Sequence, residues 1–475
     1  MRKPTPAPGS DAGSSPTPTP RPRPRLRRRA PVPAALWLRW LRRWRQLRPS
    51  QRLTLGFLSY VVLGTAALSL PIAQTKPTGW LDNLFNVTSA MSTTGLTAVS
   101  VNDHYSFFGE LVLVMLFQLG GIGYMTVSSF IMLARGQRIN DARLGVLRAG
   151  FTLPQGWDVL RFVRQVVLFT FLIEALGATL LYFEFKAYGV ENPLWFAIFH
   201  TVSAFATAGF SLSNTSLEPF RDSWVINLTI GVLCYLGAIG FIVLQDVGQA
   251  ARSRQRTITF TSKVILGSTA AIFVVGTLLL VFFEPAIRDL PWPSRILAAT
   301  FQIMTASSTA GFNTVPIGAI GSATVMLMLV AMIIGASPSG TGGGIKTTSA
   351  SALGAVVLSV LRGRDSVTLL GHEVPLARVL NAVAASAFYL VVLSAGVFVL
   401  GITESADFTR LSFEAGSALG TVGLSMGITA DLTPWGKLVI TALMFLGRVG
   451  PLTMGLALMR PSAIATPRPS SDLAV

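Results

Sequence analysis

The chain has 475 residues, 51% hydrophobic and only 12% charged, with a mean hydropathy of +0.58, and several apolar runs exceed the roughly 18 residues that a membrane-crossing helix needs. A single cysteine, Cys234, and three scattered histidines (His104, His200, His372) exclude a disulfide framework and a thiolate metal site and argue against a metal enzyme. The net charge of +17 does not form a nucleic-acid patch: 14 of the 38 Lys and Arg lie in residues 1–52 and most others flank apolar runs, the positive-inside pattern of a multi-pass membrane protein.

Residues 1–35 are rich in Pro, Thr, Ser and Arg and are expected to be a disordered basic tail; they lack the apolar segment of a signal peptide. In residues 36–50, Trp37, Trp40, Trp44 and Leu47 share one helical face among arginines. This predicts an amphipathic helix lying on an anionic cytoplasmic leaflet, with packing on the protein itself as the alternative. Four modules follow, at 51–150, 151–260, 261–375 and 376–460, and 461–475 form a cytoplasmic tail. Each module has an apolar run, a polar link and a second apolar run; the runs lie near 53–73 and 107–134, 165–185 and 223–247, 264–283 and 322–360, and 379–402 and 434–459. The expected fold is all-α: eight transmembrane helices in four parallel repeats of helix, re-entrant segment and helix.

The links carry one phrase four times, at Phe85–Thr97, Phe199–Ser211, Phe301–Asn313 and Phe413–Ser425. Aligned on Gly95, Gly209, Gly311 and Gly423, the copies need no gap. Phe stands ten before the glycine, Ala five before and Thr two before. The cores read Thr93-Thr94-Gly95-Leu96, Thr207-Ala208-Gly209-Phe210, Thr309-Ala310-Gly311-Phe312 and Thr421-Val422-Gly423-Leu424. The glycines lie 114, 102 and 112 residues apart, so this is an internal repeat. Ten residues before each Thr-x-Gly suit a half-depth helix, and irregular backbone at that depth is tolerated where it lines a water-filled path. Half-helix ends with negative dipoles, and carbonyls freed by Thr-x-Gly, favour a cation.

Charge sets the orientation. Lys and Arg number 29 on the side of the chain termini and 7 in the links, which places both termini in the cytoplasm. The links also hold 13 acids, Glu414 among them, giving an acidic mouth that concentrates cations.

The second runs repeat Leu119-Gly120-Gly121-Ile122-Gly123, Leu236-Gly237-Ala238-Ile239-Gly240 and Leu446-Gly447-Arg448-Val449-Gly450. The third module departs, with Gly335, Ser337, Pro338, Gly340, Gly342, Gly343, Gly344 and Lys346 crowded into one stretch. No helix survives that density of Gly and Pro, so a loop is expected to split the run. The stretch fails the spacing of a nucleotide-binding P-loop and follows an apolar helix, not a strand. Arg448 is a charge in an apolar run and hence a candidate functional residue, expected to donate to loop carbonyls and to oppose cations, with an arginine snorkelling from the helix end as the alternative. Glu174 is expected either to pair with a lysine or to line water and is assigned no role.

The fourfold pore segment with one glycine per repeat resembles the Trk/Ktr/HKT superfamily of potassium transporters over about residues 50–460, and most resembles its Ktr-type membrane subunit. The resemblance implies a pseudo-fourfold pore in the cell membrane with Thr-x-Gly residues as the ion filter. It implies an intramembrane gating loop at Gly335–Lys346 with Arg448 beside it. Glycine at all four positions implies potassium as substrate, with sodium as a stimulating or coupled ion and no cofactor in the chain. It also implies a homodimer in the bilayer with a separate cytoplasmic nucleotide-binding regulatory ring. The alternative is a sodium-selective or poorly selective monovalent cation transporter of the same superfamily. An enzyme lacks intramembrane catalytic groups here, and a voltage-gated channel lacks its arginine-rich helix.

Overall fold

The computed structural model describes residues 47, 49–134, 144, 147, 158–252, 257–450 and 454. The chain divides into two units, Met1–Leu47 and Arg48–Val475. The expected basic tail (1–35), nearly all of the interfacial helix (36–50) and the C-terminal tail (461–475) lie outside the described residues, as do Arg135, Arg138, Arg143, Arg148, Arg254 and Arg256.

The second unit repeats one pattern four times. The first helices are Pro49–Leu68, Val159–Ala187, Phe260–Phe283 and Leu376–Thr403. The half-helices are Trp80–Ser92, Pro193–Phe205, Trp292–Ser308 and Phe408–Gly420. The second helices begin at Phe107, Trp224, Ser322 and Pro434. Local chemistry marks the starts: Ser106, Ser223 and Thr433 cap three second helices by accepting from Gly109, Ile226 and Gly436 N–H, and Asp158, Thr259 and Asp407 cap other helices. A two-stranded hairpin, Thr368–Leu369 with His372–Glu373, joins the third module to the fourth.

Val159–Ala187, Phe260–Phe283 and Leu376–Thr403 are long and apolar enough to cross a membrane, and only 33%, 28% and 22% of their most apolar windows are buried. Leu168, Phe171, Leu172, Leu176, Leu180 and Phe183 all face outward from one helix. Water would penalise so continuous an apolar surface, whereas hydrocarbon does not.

Each first helix also carries a glycine packed closely against an inner side chain. A methyl on Gly64 would meet Val87 at 2.9 Å, and one on Gly177 would meet Leu233 at 2.9 Å. Gly276 faces Ile303 and Gly396 faces Leu443 in the same way. The small residue lets the outer helix approach the inner layer, as in membrane helix packing generally.

The structure corrects the expectation that only the third module breaks its second helix. Among the described residues the first and second modules break theirs too, and the fourth helix ends at Val449. The first splits into Phe107–Ile122 and Tyr124–Ala134 at Gly123 (φ 87°), and the second into Trp224–Ile239 and Phe241–Arg252 at Gly240 (φ 97°), bent by 99°. The fourth helix ends at Val449, before Gly450 (φ 88°). These left-handed angles end a right-handed helix, and glycine adopts them without steric cost. An earlier glycine of the same motif is required by close approach instead. A Cβ on Gly120, Gly237 or Gly447 would strike the carbonyl oxygen of Met91, Phe205 or Leu419, at the end of a half-helix. In the third module the interruption is the whole of residues 334–346, between Ser322–Ile333 and Thr347–Leu361.

Candidate functional site

Every half-helix ends the same way. Thr93, Thr207, Thr309 and Thr421 sit in the left-handed region at φ 56°, 52°, 57° and 51°. The next residue folds back: Thr94, Ala208, Ala310 and Val422 N–H donate to the carbonyls of Ser89, Ser203, Thr305 and Ser417 at 2.7–2.9 Å. That is the usual closure of a helix by a left-handed residue, with a β-branched Thr where glycine is the ordinary choice. Four such outliers cost about 1–2 kcal/mol each and point to a site where geometry outranks stability. Ser89 and Ser417 hydroxyls then accept from Gly95 and Gly423 N–H, both at 3.0 Å.

The four glycines close a ring. A Cβ on Gly95 would lie 2.6 Å from Ala208 O, and one on Gly209 would lie 2.7 Å from Ala310 O. One on Gly311 would strike Val422 O, and one on Gly423 would strike Thr94 O, which returns to the first module. All four glycines have positive φ, from 69° to 99°. Each glycine thus leans on the carbonyl of the next module, in the order of the chain, and any side chain there would fill the ring.

Beneath the ring lies the 334–346 loop, and Thr341 is its centre. Thr93 Oγ1 donates to Thr341 O at 3.2 Å, and the hydroxyls of Thr207 and Thr341 are 2.9 Å apart. Cβ atoms on Gly342 or Gly343 would collide with Thr309 or Thr421 Oγ1 (the latter at 2.5 Å), so the loop backbone presses against the other two threonines. The loop is pinned to the broken second module: Ser337 N–H donates to Ala238 O at 3.1 Å and Thr341 N–H to Gly237 O at 3.0 Å. Lys346 Nζ donates to Gly342 O at 2.7 Å, a contact within the loop itself.

Arg448 reaches the same point from the fourth module. Its guanidinium donates to Thr341 O, to Gly120 O, to Gly121 O at 3.4 Å and to Thr93 Oγ1 at 3.1 Å. A planar fork of donors suits this convergence of carbonyls better than a lysine would. The arginine thereby ties the loop to the helix break of the first module.

Sequence reasoning singled out the loop glycines and Arg448 but missed Thr341, Gly120 and Gly121 as partners. It also placed Glu414 in the acidic mouth. The structure buries Glu414 completely within its half-helix and buries Glu284 at 3% exposure. Several link acids act as helix tethers: Glu284 accepts from Ala286 and Gly321 N–H, and Glu404 from Thr433 N–H and hydroxyl. The mouth is accordingly less acidic than its composition. Glu218 remains beside the ring, where Asn313 Nδ2 donates to it at 2.8 Å. Partial burial raises its carboxyl above the usual range, opposed by the smaller effect of that amide. Asp222 is lowered instead, by the Ser294 hydroxyl and then by Arg221. Glu174 accepts from Gln118 Nε2 at 2.9 Å, an intermodule bond rather than a pairing with lysine.

The family model described as a cation transport protein, TrkH, matches residues 38–465. Ktr system potassium uptake protein B of Bacillus subtilis is 35% identical over 86% of this chain and 93% of that one. The potassium/sodium uptake protein NtpJ of Enterococcus hirae is 31% identical over 87% and 94%. Among solved structures, the potassium transporter TrkH from Vibrio parahaemolyticus superposes with a TM-score of 0.69, at 22% identity, over 87% of this chain and 86% of that one.

Proposed function

Because the chain belongs to the TrkH family of cation transport proteins, we propose that it carries potassium into the cell through the ring of Gly95, Gly209, Gly311 and Gly423. The closed ring of carbonyl-to-glycine contacts is the observation that carries this reading. Carbonyls of Thr94, Ala208, Ala310 and Val422 replace the water shell of a dehydrated cation, and the Thr hydroxyls below supply a second tier of oxygens. Thr309 and Thr421 hydroxyls are buried without a hydrogen-bond partner among the described residues, which leaves them available to an ion.

The 334–346 loop is the gate, and Arg448 holds it closed. Its charge opposes cations directly below the ring, and its hydrogen bonds fix the loop across the path. Eight helices cross the cell membrane, counting each interrupted second helix as one span, with both termini cytoplasmic by the charge bias. A homodimer and a separate cytoplasmic nucleotide-binding regulator complete the proposed system; relatives named as protein B of a Ktr system are in keeping with a further component.

The second reading is transport of sodium as well as potassium, favoured by the name of the Enterococcus relative. Expression in cells lacking their own potassium uptake decides between them. Growth rescue at low potassium, with rubidium uptake resistant to excess sodium, supports the first. Sodium uptake without rescue overturns it.

A further inference from the structure

Nine residues before the glycine each half-helix carries a different polar residue, Asn86, His200, Gln302 or Glu414. All four are buried, at 0–2% exposure. Each turns away from the ring and onto the backbone that runs outward from its own glycine. Asn86 Oδ1 accepts from Ala98 N–H at 2.8 Å and its Nδ2 donates to Val99 O at 3.1 Å. Gln302, in the amide orientation that its partners require, accepts from Thr314 N–H at 2.9 Å and Val315 N–H at 3.1 Å. These partners are three and four residues after the glycine in both modules.

The other two modules use a relay. His200 Nδ1 lies 2.8 Å from Phe196 O and so carries the proton, which leaves Nε2 to accept from Ser211 Oγ at 2.9 Å. Glu414 accepts from Ser425 Oγ at 2.9 Å and from the Thr429 hydroxyl. Ser211 and Ser425 both stand two after the glycine, and each accepts the N–H two residues on, from Ser213 at 2.9 Å and Gly427 at 3.0 Å. The ring runs in chain order, so modules one and three face each other, as do two and four. One diagonal is braced by amides directly on backbone, the other through a serine hydroxyl.

We propose that Asn86, His200, Gln302 and Glu414 are positioning residues that hold the ring at its working width, and that the two relayed braces, Glu414–Ser425 and His200–Ser211, set how strictly the ring discriminates between monovalent cations of different radius. The proposal rests on the ring being the ion filter. A satisfied buried polar group is common and needs no function. Four at one register, each aimed at its own outgoing strand with matched partners on opposite modules, form a frame around the ring. The relayed diagonal has one more rotatable link per brace, so its strands yield more readily to an ion of the wrong size.

The test uses the full chain in proteoliposomes, with potassium and sodium fluxes measured on each variant. Ser425→Ala and Glu414→Ala should each lower the potassium-to-sodium rate ratio by about threefold to tenfold, the equivalent of roughly one net hydrogen bond. The effect should fall on the KM for potassium, the double variant should be no worse than either single, and Glu414→Gln should keep most of the ratio because its amide oxygen still accepts. If Glu414→Ala does not fold, Ser425→Ala and Glu414→Gln carry the test, since each alters a single polar atom and leaves the packing nearly unchanged. Variants that lose total flux but keep the wild-type ratio overturn the proposal, as do single effects that multiply in the double. A wild type that carries no potassium overturns the filter reading itself and this one with it. A selective wild type with indifferent variants removes only the brace.

Discussion

The carbonyl oxygen of Thr341 accepts from both Arg448 and Thr93, so one backbone atom of the loop ties the fourth module to the first. Neither residue is near Thr341 in sequence. The hydrogen bonds span 107 and 248 positions.

Removing the arginine should therefore open the path. A charge-assisted hydrogen bond contributes roughly 1.5–3 kcal/mol, which shifts a closed-to-open balance about tenfold or more. Arg448→Ala should raise basal rubidium flux by that order in proteoliposomes. Arg448→Lys should recover only part of the closure, because an ammonium cannot span Thr341 O and Gly120 O with a planar fork. Flux equal to wild type in Arg448→Ala would remove the gating role.

The ring predicts a sharp contrast between glycines. Gly209→Ala puts a methyl 2.7 Å from Ala310 O at a backbone φ of 69° and should abolish flux. Gly267→Ala, in an outer helix where a Cβ meets nothing within 4 Å among the described residues, should leave flux intact and stabilise its helix by up to about 1 kcal/mol. Ion flux and thermal unfolding of both variants check this.

Asp82 and Lys437 pair at 2.7 Å and clasp the first half-helix to the last second helix. Partly buried pairs of this kind contribute roughly 1 kcal/mol. Asp82→Asn and Lys437→Gln should each lower the melting temperature, and the double variant should lose less than the sum of the two. Strict additivity would show the pair to be energetically idle.

Glu218 gives the mouth a pH dependence. A carboxyl held above its usual range takes up a proton at a higher pH than an ordinary glutamate, so its negative charge is lost earlier as the pH falls. The KM for potassium should rise as the external solution is acidified. Glu218→Gln should raise that KM by about twofold at neutral pH and flatten its acid-side rise. An unchanged profile would take Glu218 out of the entry path.

Much of this arrangement is legible in the sequence because the ring repeats its side chains four times. Phe85, Ala90, Thr93 and Gly95 recur at fixed spacing, and the half-helices follow from them. The helix breaks at Gly123 and Gly240 are harder to read, because apolar residues continue on both sides and periodicity passes through a single left-handed residue. Thr341 carries no local signal at all; its role is made by partners from three other modules. Glu414 misleads for the opposite reason. Composition counts it as a mouth charge, while folding turns it inward onto Ser425 and Thr429.

Arg448 occurs once, under a ring built four times. A tetramer of identical chains could not make that choice: one arginine per subunit would bring four positive charges to a single axis, and like charges about 4 Å apart repel by about 4 kcal/mol per pair at an effective dielectric of about 20. Joining the modules in one polypeptide lifts that constraint. Each quadrant can drift in sequence while the backbone of the ring stays common, so one can supply the barrier, another the plug, and the remaining two the walls against which the plug is seated.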